Sequence, residues 1–285
     1  MMPKLLALID GSLYTQSVCD HSVWAAGGGD GSVRLMHVLG RRGASSAPAN
    51  LSGTLEVDGR DALLDELASL DEQQARLAQR RGRVVLDEAK ARLEEAGVGK
   101  VEVTLRNGDL IDTALEFESD VDLIVIGKRG EAADFAKLHL GSNLERVVRS
   151  STKPVLVASR AFKPIKRFLI AFDGGASAMK AVDHISRNPA FSGLEGEILT
   201  VGPDTSEARS TLDRMVDMLK AGGHTVQADV VSGQADKVIA NRVEQGGIDL
   251  LVMGAYGHSR IRNLIIGSTT TEMIRSCLIP IMLFR

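Results

Sequence analysis

Ile248-Asp249-Leu250-Leu251-Val252-Met253-Gly254-Ala255-Tyr256-Gly257, followed after nine residues by Gly267-Ser268-Thr269-Thr270, is the stretch that decides the fold. Four consecutive apolar residues ending on a glycine fit a strand buried on both faces of a parallel sheet. The glycines then punctuate a loop, and the Ser/Thr run opens a segment with helical periodicity. The same order stands earlier, as Val121-Asp122-Leu123-Ile124-Val125-Ile126-Gly127, Lys128-Arg129-Gly130 and Gly141-Ser142-Asn143-Leu144. Each version continues through Arg-Ser into a proline-led apolar run: Arg149-Ser150 to Pro154-Val155-Leu156-Val157, and Arg275-Ser276 to Pro280-Ile281-Met282-Leu283.

Upstream the correspondence holds again, with Leu6-Ala7-Leu8-Ile9-Asp10-Gly11 matching Leu169-Ile170-Ala171-Phe172-Asp173-Gly174. An ordered repeat of this kind means two copies of one unit. The join falls in Arg160-Ala161-Phe162-Lys163-Pro164-Ile165, giving domains at 1–160 and 164–285. Short apolar runs alternate with helix-period segments in both. The fold class expected is α/β: two tandem doubly wound domains, each a five-stranded parallel sheet flanked by helices. Strands are expected near 5–9, 33–38, 101–105, 123–126 and 154–158, then near 167–172, 197–201, 225–231, 250–253 and 280–284. In the second copy helices are expected near 177–187, 206–221, 235–245 and 269–277.

The copies differ most between their second and third strands. The first carries an insertion at about 40–80, beginning with a Gly/Ser/Ala/Pro-rich stretch (Gly40 to Gly53) that reads as a loop. Asp61 to Gly97 then has helical period, with Gly82 as an expected break. Its charged residues read as a solvated helix face, with partner docking as the alternative.

Composition narrows the function. The chain has 285 residues, 44% hydrophobic and 25% charged, with a net charge of −3. This is globular material without the concentrated basic patch of a nucleic-acid partner. No apolar stretch approaches the ~20 residues of a membrane span. Leu5-Leu6-Ala7-Leu8-Ile9 is too short for a signal-peptide core and ends in Asp10. Cys19 and Cys277 read as reduced, buried residues of a cytoplasmic protein.

Two places in each copy fall at strand carboxyl ends, where open parallel sheets bind ligands. One is Asp10-Gly11-Ser12, matched by Asp173-Gly174-Gly175; a carboxylate there reaches a ligand or simply forms a turn or cap. The other is the glycine loop leading to Gly267-Ser268-Thr269-Thr270. Glycines admit an anion close to backbone amides, and a helix start adds free N–H groups and positive dipole. Ser268, Thr269 and Thr270 offer hydroxyls to phosphate, or merely cap the helix.

With these residues in place, the sequence resembles the universal stress protein family over nearly its whole length, twice. ATP-binding members of that family carry Gly-x2-Gly-x9-Gly-Ser/Thr after the fourth strand, and Gly254, Gly257, Gly267 and Ser268 match this spacing. The resemblance implies that Asp173 and Val201 hold the adenine and ribose side, and that Gly257, Gly267, Ser268 and Thr270 hold the phosphates. It implies ATP as ligand, accompanied by Mg²⁺ or Mn²⁺ with metal-binding residues unknown. It also implies a stress-response regulator. In the first copy the matching set is Asp10, Val38, Gly127, Gly130, Gly141 and Ser142. There ten residues separate the second and third glycines, and Leu144 replaces Thr270, so this copy is the weaker candidate. Lys128 and Arg129 either restore some charge or are solvated loop residues. In the family the closing strands meet across a dimer interface. Val155-Leu156-Val157 is therefore expected to face Ile281-Met282-Leu283 as an intrachain pseudo-dimer, with a further homodimer as an added option.

Other chemistries fit less well. No Walker-type glycine loop occurs, the glycines at 27–29 and 31 precede a strand, and no Cys/His metal spacing is present. His258 follows Gly257 but has no identifiable partner to orient it, and His37 is either a pocket residue or a capped surface group. No dedicated catalytic residue is expected, and ATP hydrolysis would at most be slow. A nucleotide-free scaffold acting through the 40–97 insertion is the alternative. An adenine-nucleotide hydrolase-like enzyme is the lesser one: Asp173-Gly174-Gly175-Ala176-Ser177 is faintly similar to the Ser-Gly-Gly-x-Asp-Ser loop of that group, but in the wrong order.

Overall fold

The computed structural model describes residues 3–27, 31–40, 57–130, 142–255 and 266–285. The first half runs β1 (Lys4–Leu8), α1 (Thr15–Ala26), β2 (Ser32–Leu39), α2 (Val57–Glu95), β3 (Lys100–Asn107), α3 (Leu110–Glu116), β4 (Leu123–Gly127), α4 (Ser142–Ser150) and β5 (Val155–Ala158). The second runs β6 (Arg167–Ala171), α5 (Ala176–Arg187), β7 (Glu195–Val201), α6 (Ser206–Ala221), β8 (Thr225–Val231), α7 (Ala235–Gln245), β9 (Leu250–Gly254), α8 (Ser268–Ser276) and β10 (Ile281–Phe284).

Each half is a parallel sheet of five strands, but the halves do not form separate sheets. They merge into one ten-stranded sheet in the order β3-β2-β1-β4-β5-β10-β9-β6-β7-β8. At its centre β5 and β10 run antiparallel, with Val157 opposite Ile281, Leu156 opposite Met282 and Val155 opposite Leu283. Every residue of both strands is buried, as their unbroken apolar sequences require.

Helices cover both faces, and each face carries one core running through both halves. Leu86, Ala89 and Leu93 of α2 share a core with Ile185 of α5 and Leu219 of α6. On the other face Val147 and Val148 of α4 share one with Ile239 of α7 and Met273 of α8. Asp122 and Asp249 perform matching tasks just before β4 and β9. Asp122 accepts the Lys4 N–H (2.9 Å), and Asp249 accepts those of Lys166 and Arg167 (2.9 and 3.0 Å). The join is packed: Ser17 Oγ donates to the Ser159 carbonyl (2.7 Å), and Phe162 sets its ring edge against His21.

Gly82 does not break the insertion helix. α2 runs through it for 39 residues, about 58 Å at 1.5 Å per residue. The glycine serves a close approach: a Cβ there would lie 2.9 Å from both His37 Cδ2 and Leu105 Cδ1. The helix thus lies down on β2 and β3 at this point, at a propensity cost of roughly 1 kcal/mol relative to Ala. The loop reading for Gly40–Gly53 lies outside the described residues apart from Gly40. Gly82→Ala should be near neutral, because helix propensity offsets the small intrusion. Gly82→Val should cost about 1–3 kcal/mol by overpacking. Urea unfolding of both variants checks this; equal stability for the two would remove the close-approach explanation.

Candidate functional site

Parallel strands of the second half end together, and a pocket of about 310 Å³ opens over their carboxyl ends. Phe172 and Asp173 follow β6, Val201 closes β7 and Gly254 closes β9. Gly267, Ser268, Thr269 and Thr270 enter from the start of α8. The walls are apolar: Ala171, Leu199 and Met253 from the strands, Ala235 and Ile239 from α7. One end of the pocket is therefore an aliphatic slot and the other a helix start.

The polar groups have defined partners. Asp173 Oδ1 accepts the Gly175 N–H (2.8 Å), a short turn that sets the carboxylate at the end of β6. Asp10 makes the same turn with the Ser12 N–H (3.0 Å), so this motif is a turn rather than a helix cap. At α8 the cap residue is Gly267, no side chain caps the helix, and no acidic residue occupies the first turn. Its dipole and leading N–H groups are not offset by a carboxylate in that turn. Ser268 is exposed and Thr269 half-buried, with neither hydroxyl used as a cap. Thr270 is buried, and its Oγ1 donates to the Gly254 carbonyl (3.0 Å). That hydroxyl fastens α8 to the end of β9 and has no hydrogen left for a phosphate.

Gly257 and Gly141 lie outside the described residues, as do His258 and the Ser142 side chain. Sequence reasoning missed the α7 wall. The available signal was the Ala235, Ile239, Val243 spacing, one helix face directly after β8.

The universal stress protein family model matches residues 1–159 and 164–285. The chain belongs to the universal stress protein family. Universal stress protein Slr1230 of Synechocystis sp. is 36% identical over 287 residues, spanning 100% of both chains. Universal stress protein MJ0577 of Methanocaldococcus jannaschii is 25% identical over 81 residues, covering 28% of this chain and 50% of its own. Among solved structures, a universal stress protein from Archaeoglobus fulgidus DSM 4304 superposes with a TM-score of 0.69 at 23% identity. That match covers 100% of this chain and 99% of the other.

Within this tandem universal stress protein the first copy differs at several of the corresponding points. Val38 is partly buried at the end of β2, where His37 Nδ1 donates to the Ile9 carbonyl (2.8 Å). The counterpart bond in the second copy is Thr200 Oγ1 to the Phe172 carbonyl (3.0 Å). His37 is thus a buried structural donor at the edge of β2. Gly130 is drawn against Asp10, where a Cβ would meet Oδ2 at 2.8 Å. Tyr14 crowds Gly127, where a Cβ would lie 2.7 Å from Tyr14 Cβ; the counterpart of Tyr14 is Ser177. Leu144 is buried in place of Thr270, and Glu145 places an acid in the first turn of α4.

Lys128 turns away to the other half, where its ammonium donates to the Cys277 carbonyl at the end of α8 (2.6 Å). Burial pulls its pKa below the usual lysine value. Arg285 returns the contact, donating from Nη1 to the Arg149 carbonyl at the end of α4 (2.7 Å). Burial pushes the Cys19 thiol up to about 12 and the Cys277 thiol up to about 11, so neither is a thiolate near neutral pH. A larger groove of about 540 Å³ lies beside Lys180, His184, Phe284 and Arg285, apart from every strand-end candidate. No helix among the described residues is long and apolar enough to cross a membrane.

Thr270→Val should lower stability by about 1 kcal/mol, because the Gly254 carbonyl loses its donor without a change of volume. Chemical denaturation reads this directly. Unchanged stability would mean the hydroxyl is not needed there and is available to a ligand.

Proposed function

We propose that this universal stress protein holds an adenine nucleotide in its second domain and acts as a regulator whose state follows nucleotide binding. The observation that carries the reading is the convergence of an aliphatic slot, a strand-end carboxylate and an acid-free helix start in one pocket. The slot formed by Leu199, Val201 and Ile239 suits a flat purine, and Asp173 suits the ribose hydroxyls. Gly267, Ser268 and Thr269 at the start of α8 suit phosphate oxygens. Thr270 supports this arrangement from behind through Gly254. Mg²⁺ or Mn²⁺ would enter with the triphosphate.

The protein is proposed as a binder rather than an enzyme. Among the described residues lining the pocket there is one carboxylate, already engaged with the Gly175 N–H, and no histidine. Nothing in that set is placed to activate water, so ATP would turn over slowly at most. Cys19 and Cys277, both free and buried, fit a cytoplasmic setting.

Calorimetric titration with ATP tests the reading on the wild type and on a Gly267→Val, Ser268→Ala double variant. Wild type should bind, and the variant should lose at least tenfold in affinity, about 1.4 kcal/mol, with its melting temperature preserved. Equal affinities would remove the second-domain site. An absence of binding to wild type would remove the nucleotide reading and favour a scaffold acting through the insertion.

A further inference from the structure

The two copies match residue by residue through α1 and α5, and one piece of ground that is covered in the first is open in the second. Ser17, Asp20 and His21 stand where α5 has Lys180, Asp183 and His184, and the residues after the closing strands are Ser159 and Arg285. The contacts correspond as well. Ser17 Oγ donates to the Ser159 carbonyl (2.7 Å), and Lys180 Nζ donates to the Arg285 carbonyl (2.9 Å). In the first copy the linker that follows Ser159 buries Ile165 and sets Phe162 edge-on against His21, with 5.0 Å between ring centres. His21 is 0% exposed as a result. In the second copy the same ground is the groove of about 540 Å³, and His184 is only half-buried within it.

The groove is lined differently from its covered counterpart. Met179 stands where α1 has Gln16. Met218 stands where α2 has Arg92, since the Val98 N–H to Leu93 carbonyl bond after α2 matches His224 to Leu219 after α6. Phe284 replaces Ala158, and its ring lies 5.2 Å from that of His184. Methionines re-pack around the apolar shapes they meet, which suits a surface that receives a side chain from outside. Met179 is 37% exposed and ready to do so. Charge narrows the occupant further. Lys180 and Arg285 line the groove with a single carboxylate, Asp183, which pairs with Arg187 (2.5 Å). An acid beside the incoming aromatic is therefore favoured.

We infer that this groove receives an extended segment of a partner protein, with an aromatic side chain packed on His184, Met179 and Met218 and an acidic residue beside it at Lys180. The repeat supplies the precedent, because the chain covers His21 with a phenylalanine-bearing segment of its own. That linker is basic rather than acidic, in keeping with Ser17 and Ser159 at the positions of the two cations. An aromatic anchor seated in a desolvated groove carries most of the energy of such a contact. The groove shares no lining residue with the strand-end pocket, so this inference is independent of the nucleotide reading.

Methionine-methyl NMR on the full-length chain tests it, since Met179 and Met218 report from inside the groove. The probe is the acetylated and amidated peptide Ala-Phe-Glu-Pro-Ile, which keeps the order of Ala161 to Ile165 with glutamate in place of Lys163. Both methyl signals should shift and saturate on titration. The same peptide with alanine for phenylalanine should bind at least roughly tenfold more weakly. Lys180→Glu should weaken the probe about fivefold and favour the version carrying lysine in place of glutamate. Gln16→Glu, on the covered side of the first copy, should leave binding unchanged, and circular dichroism confirms that both variants fold. Silent methyls at saturating peptide, an alanine peptide that binds equally, or an indifferent Lys180→Glu would each overturn the proposal. Phenylacetate filling the groove at the same concentration as the peptide would also overturn it, in favour of a small aromatic acid.

Discussion

The pairing of β5 with β10 is the constraint on which the rest of the molecule depends. Each strand is only four residues long and buried throughout. Alone, either half would end in an apolar sheet edge with unpaired backbone groups, which invites uncontrolled association. Paired antiparallel, the two edges cancel. Leu156 and Met282 join the halves on one face, while Val155, Val157, Ile281 and Leu283 join them on the other. Lys128 and Arg285 reinforce the seam from opposite sides, each reaching the carboxyl-terminal carbonyls of a helix in the other half. Cations at helix carboxyl ends also meet the favourable end of the dipole.

Because the central pair is antiparallel, the carboxyl ends of the two sets of strands point in opposite directions. The two candidate clefts therefore sit at opposite edges of the sheet, free to diverge. In the first copy Gly130 is drawn onto Asp10, Tyr14 packs on Gly127, Leu144 fills the Thr270 position, and Glu145 adds an acid to the first turn of α4. The second copy keeps a pocket with an acid-free helix start. The first copy carries instead the long α2, 39 residues against the sixteen of α6.

Much of this could be read from residues alone, for physical reasons. Leu123-Ile124-Val125-Ile126 and Leu250-Leu251-Val252-Met253 are buried on both faces, so their unbroken apolarity announced them as strands. Asp173 and Gly254 stand at strand ends, whose position is fixed before any tertiary detail matters, whereas Val201 was singled out through the family resemblance. Gly82 was misleading because propensity is a local quantity; contact with His37 and Leu105 decides the matter, and those residues are distant in sequence. Thr270 looked like a phosphate donor until the Gly254 carbonyl was found to hold its hydrogen. The α7 wall and the reach of Lys128 across the seam depend on how helices and halves dock, which a linear pattern does not encode.

The number of nucleotides one chain carries separates a competent second domain and an altered first from every other arrangement. Native mass spectrometry of the purified full-length protein, with bound species identified after denaturation, measures this without mutation. One adenine nucleotide per chain is the result expected from a competent second domain and an altered first. No nucleotide at any added ATP concentration, or two held equally, would contradict it.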